Sequence, residues 1–201
     1  MHQMFTRRAF VTSGIGTSLV LGMPGPAAAL NTAQARSLID RMVNEVNAVI
    51  DSGKAEQAMY VDFERIFRKY SDTSYVAAYA MGVDGRRATG AQKRAFSDAF
   101  ITYIARKYGA QFRKFIGGRL EVVQARKVKN FFEVEATAFL RGQSPFEVSF
   151  HVSDRSGKDL FFNMFIEGIN MLLTERTEIG AMLDKRRGNI DAMIADLKKA
   201  G

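Results

Sequence analysis

Cysteine and tryptophan are both absent from the 201 residues, proline occurs three times and histidine twice. The missing cysteine excludes a disulfide framework and a lipid-modified cysteine at a processing site. His2 falls in the N-terminal leader described below, so the rest of the chain holds one histidine, His151, and no thiol. Most hydrolytic and metal chemistry thereby loses its usual bases and ligands, and no metal or cofactor is expected. His151 lies in the alternating run Phe146 to Val152, on the polar face with Glu147 and Ser149. That is the pattern of an exposed strand histidine. Repeats, low-complexity tracts, a zinc finger and an RNA-binding signature are also missing.

The N-terminal segment, residues 1–29, has three parts: a start with Arg7 and Arg8, an uncharged stretch from Ala9 to Met23, and a small-residue end at Ala27-Ala28-Ala29. This is the layout of a cleavable secretory signal. The apolar stretch is broken by Gly14, Gly16 and Gly22 and followed by Pro24 and Pro26, whereas a membrane helix needs about 20 apolar residues. Thr6-Arg7-Arg8-Ala9-Phe10-Val11 resembles the twin-arginine consensus, with an ordinary secretory signal as the alternative. Either route predicts an exported chain beginning near Leu30.

Residues 30–201 are enough for one domain with a sizeable core and too few for two. Removing Arg7 and Arg8 from the 29 basic residues leaves 27 against 21 acidic ones, a formal charge of +6. That balance fits an anionic surface, and an exported location argues against nucleic acid.

Apolar residues at helical spacing predict an amphipathic helix from Thr32 to Asp51, a second through Met59, Phe63, Ile66 and Phe67, and a short third ending at Gly82. A long helix capped by Thr89 carries Phe96, Phe100, Tyr103, Ile104, Tyr108 and Phe112 as a stripe before Gly117-Gly118. Beyond those glycines the period changes to two. Four strands are predicted, at about Leu120 to Val128, Phe131 to Leu140, Phe146 to Val152 and Leu160 to Ile166, joined by short turns that make an antiparallel meander. Two further helices, Ile169 to Lys185 and Asn189 to Lys199, complete an α+β domain with helices covering one face of a curved four-stranded sheet. The strands carry more inward-pointing Phe and Met than ordinary packing requires, a composition suited to a deformable apolar cavity as well as to a plain core.

Val76-Ala77-Ala78-Tyr79-Ala80-Met81-Gly82, Arg86, Ala88-Thr89-Gly90-Ala91-Gln92, the aromatics Phe96, Phe100 and Tyr108, and Phe165-Ile166-Glu167-Gly168-Ile169-Asn170 together resemble the MlaC, or toluene-tolerance, family. Its members are periplasmic phospholipid-binding components of an ABC-type lipid transport system. The likeness runs over about residues 32–197. Gly85 and Leu160 stand where the family commonly has tryptophan, and Asn163 where it often has aspartate.

The resemblance implies a nuclear-transport-factor-like sheet enclosing an apolar pocket, and a non-enzymatic carrier of phospholipid between an inner-membrane ABC transporter complex and an outer-membrane lipoprotein complex. Two acyl chains hold about 30 methylenes, whose release into water costs on the order of 24 kcal/mol at ~0.8 each, so delivery must be a handover at a partner's surface. The lining implied is Phe96, Phe100, Tyr103, Phe132, Val134, Phe146, Val148, Phe150, Phe162, Met164 and Ile166, with Met171 and Leu172 near the mouth. Arg86, Arg119, Arg126 and Lys127 are the candidates for a headgroup or an anionic partner, with a solvated basic face as the alternative. A shuttle between two membranes is expected to be monomeric. The rival readings are a lipid-free envelope interaction module and an isomerase-like enzyme using Glu133, Glu135 or Tyr103, although the two glutamates alternate with the apolar face and so point to water.

Overall fold

The computed structural model describes residues 29–112 and 116–200, so the leader with Arg7 and Arg8 lies outside the described residues. Four helices come first: α1 (Thr32–Ile50), α2 (Glu56–Tyr70), α3 (Thr73–Met81) and α4 (Gly90–Phe112). The strands follow as β1 (Arg119–Val128), β2 (Phe131–Phe139), β3 (Phe146–Ser153), β4 (Leu160–Ile166) and β5 (Ile169–Asn170), and the chain continues through α5 (Met171–Lys185) and α6 (Ile190–Leu197). The sheet is antiparallel throughout, in the sequential order β1-β2-β3-β4-β5. Five strands therefore stand where periodicity predicts four. The additional one is two residues long, too short to alternate, and forms because Glu167 (φ 50°) and Gly168 (φ 78°) make a tight turn after β4.

Local chemistry sets the helix starts. Asn31 and Gln34 form a reciprocal capping box on α1, and Thr89 and Gln92 form another before α4, as the position of Thr89 predicts. Asp72, Asn170 and Asn189 each cap the helix that follows through a side-chain oxygen. Helix α1 is tied to the edge strand β1 through polar side chains. Asn47 accepts from the Leu120 N–H and donates to the Leu120 carbonyl, both at 3.0 Å. Arg36 donates to the carbonyls of Val122 and Val123, where a bulge interrupts the β1–β2 register.

Two apolar cores result. The first joins α1 and α2 to the inner face of the sheet, with Ile39, Val43, Val134, Ala136 and Val152 among its members. The second joins α3, α4, α5 and α6 around Phe96, Phe100, Ile179, Met193 and Leu197. Phe67 packs against both. Among the described residues no helix is long and apolar enough to cross a membrane.

Candidate functional site

A cavity of about 480 Å³ lies along the seam between the two cores. Its size is typical of small-molecule sites. From the first core come Met42, Val43 and Val46 of α1 and Phe63 and Ile66 of α2; from the second come Val76, Phe100, Ile104 and Leu172. The sheet contributes Leu120, Phe146, Val148, Phe150, Phe161, Phe162, Met164 and Ile166. Gln143, Ser144 and Glu167, all exposed, mark the side open to solvent.

Nine of the thirteen residues in the expected lining lie on this wall: Phe100, Phe146, Val148, Phe150, Phe162, Met164, Ile166, Met171 and Leu172. The other four lie elsewhere. Phe96 stacks on Phe100 at 5.4 Å within the helical core, and Tyr103 turns toward α5, where its hydroxyl donates to Glu178 Oε2 at 2.8 Å. Phe132 and Val134 do point inward, but into the sheet-side core. Residues of α1 and α2 were missed as wall residues because their helical stripes carry the same signal whether they meet a neighbour or a cavity.

The four basic candidates are not on the wall. Arg119 pairs with Glu121 and lies over the Phe139 ring at 4.3 Å; Arg126 pairs with Glu133; Lys127 is exposed and lies 6.0 Å from the Phe132 ring centre; Arg86 is exposed on the turn after α3. Glu133 and Glu135 are likewise off the wall, but Arg126 covers them, and their side chains are only 16 % and 19 % exposed. His151 corrects the expectation of an exposed histidine. Its ring is packed against Phe131 at 4.4 Å and Phe165 at 4.7 Å, with Glu133 Oε2 3.3 Å from Nε2.

Polar side chains also reach the wall, and Glu175 is the buried carboxylate among them. Glu175 follows Met171 and Leu172 at positions that share their face of α5, and it is 2 % exposed. Lys107 Nζ donates to Glu175 Oε1 at 2.8 Å and to Glu178 Oε2 at 2.6 Å, and the Tyr108 hydroxyl also donates to Glu175 Oε1. Burial, reinforced by the Glu175 carboxylate, pushes the Tyr108 hydroxyl well above its ordinary range, and burial with the Glu178 bond pushes Tyr103 up to about 12. Burial works against charge on Lys107, yet its bonds to both carboxylates prevail and raise its pKa. For Glu178 burial is likewise outweighed, by hydrogen bonds from Lys107 and Tyr103 that hold its carboxyl low.

Asn163, also on the wall, links β4 to α5. Its amide nitrogen donates to Asn170 Oδ1 at 3.1 Å, while its oxygen accepts from the Met164 and Leu172 backbone. An ionised aspartate has no such donor. No group of three or more His, Cys, Asp or Glu placed to hold a metal occurs among the described residues.

The helices and sheet of this α+β domain close on a mostly apolar cavity of a size that takes a small molecule. The family model described as MlaC protein matches residues 40–199, and the chain belongs to that family. It is also similar in fold to a solved structure described as the phospholipid-binding protein from Ralstonia solanacearum in complex with a phospholipid. The TM-score is 0.70 and the identity 18 %, covering 82 % of this chain and 95 % of the other.

Proposed function

We propose that this chain is a periplasmic phospholipid carrier. The observation that carries the reading is the cavity at the seam, whose wall is mostly aliphatic and aromatic. Membership of the MlaC family and the phospholipid held by the Ralstonia solanacearum protein support it. In this reading the chain is exported by the twin-arginine route, acts as a monomer, and exchanges cargo with an inner-membrane ABC transporter complex and an outer-membrane lipoprotein complex. In this reading it acts by binding rather than by catalysis.

The test is native mass spectrometry of the processed protein from its own compartment, followed by organic extraction. A stoichiometric mass increment that extracts as a diacyl lipid is the expected result. A bare polypeptide mass that persists after incubation with phospholipid vesicles overturns the proposal and favours a lipid-free interaction module.

A further inference from the structure

We infer that Asp154 receives the chain terminus freed by leader removal: hydrolysis of the Ala29–Leu30 bond leaves an α-ammonium on Leu30, and the Asp154 carboxylate holds it in an ion pair that only the processed chain can form. The inference rests on the exported reading of the chain and goes beyond lipid carriage.

Three observations meet at this bond. Ala27 and Ala29 supply the small residues that a leader peptidase reads before its cut. Ala29 is exposed, whereas Leu30 is 8 % exposed and belongs to the sheet-side core, immediately before the helix cap Asn31. The Leu30 nitrogen donates to Asp154 Oδ2 at 3.2 Å, across 124 positions of sequence. In the precursor that nitrogen is a neutral amide. The peptidase adds water across the bond: Ala29 leaves with the leader as a carboxylate, and the Leu30 nitrogen takes up protons to become an ammonium, already within reach of its partner.

Charge gives the contact its purpose. An ammonium one residue ahead of the cap faces the positive end of α1, where anions are favoured and cations are not. The first turn of α1 contains no acidic residue, so the offsetting carboxylate has to come from another element. Asp154 is held in position for this by its own turn, which the Gly157 N–H closes on the Asp154 carbonyl at 2.9 Å. The adjacent Arg155 does not compete, because its guanidinium lies over the rings of Phe162 at 4.8 Å and Tyr75 at 5.5 Å.

The intact mass of the protein processed in its own compartment locates the terminus. A chain beginning at Leu30 is expected. One beginning elsewhere, or retaining the leader, overturns the inference, while the lipid increment in the same spectrum tests the carrier reading separately. The Leu30 amino group is then titrated by NMR in leucine-labelled processed protein and in Asp154→Asn, where asparagine also suits the first position of the turn. An exposed ion pair is worth about two- to fivefold, so the amino pKa is expected to lie about 0.3–0.7 higher than in the variant. The same two- to fivefold change is expected in the unfolding equilibrium constant from urea titration, and it should vanish once the α-amine is acetylated, which keeps an N–H and removes the charge. Equal amino pKa values in the two proteins overturn the inference, as does a stability difference that survives acetylation. If the variant does not fold, acetylation of the unsubstituted protein decides: a two- to fivefold loss supports the pair and unchanged stability overturns it.

Discussion

His151 shows how a single side chain departs from what its neighbours in sequence predict. Alternation places it on the outer face of β3, which is where it lies, but the bulge opposite it in β4 and the rings of Phe131 and Phe165 enclose it. Burial lowers its pKa from the ordinary 6.5, against the opposing pull of Glu133. With a depressed folded value, the unfolded chain binds the proton more readily. The stability contributed is therefore complete above about pH 6.5 and declines as the pH falls from there toward the folded value. Replacing His151 with Phe should flatten the dependence of melting temperature on pH below about 6.5; an unchanged slope would refute the assignment. Within the cavity, Met164 is only partly buried, so Met164→Lys should leave a folded chain by circular dichroism while removing co-purifying lipid. Residue types made the apolar wall legible at β3 and β4. Glu175 was not legible, because a carboxylate in an amphipathic helix looks solvated until Lys107 and Tyr108 of another helix are brought to it.

At the scale of elements, periodicity and turn chemistry carried far: the period change after Gly118 located the sheet, and Thr89 located the start of α4. Interhelical distance was not so encoded. Gly109, inside α4, would normally gain about 1 kcal/mol of helix propensity on replacement by alanine. Here an added Cβ would lie 2.6 Å from Tyr60 Cδ1 of α2, so the glycine sets the approach of α2 to α4 beside the cavity. Gly109→Ala should therefore destabilise by about 1–3 kcal/mol, read as a lower urea midpoint with unchanged slope. The link between α1 and β1 gives a second test. Asn47→Ala removes both hydrogen bonds to Leu120 and strands partly buried backbone groups, at a cost of about 1–3 kcal/mol in the same measurement.

For the whole molecule, the α+β class followed from the order of the elements, but the division into two cores did not. Phe96 and Phe100 lie on one helical stripe, yet only Phe100 reaches the cavity wall, because the boundary between the cores depends on how α4 rotates against α2, α3 and α5. For a cargo that binds only the folded chain, stability rises with loading. Saturation to 100 times the dissociation constant should add about 2.7 kcal/mol, seen as a rise in melting temperature with lipid concentration.

The seam also bears on the proposed delivery. Because the cavity wall is drawn from both cores, an acyl chain in the proposed site would be interior to the fold, and its contacts would be cohesion between two halves of the protein. The free energy that such loading adds to the fold would have to be returned when the cargo leaves. Under the proposed function, an acceptor would compete with the protein's own folding stability as well as with its affinity for lipid. Substitutions that tighten the two halves against each other without touching cargo should make unloading easier.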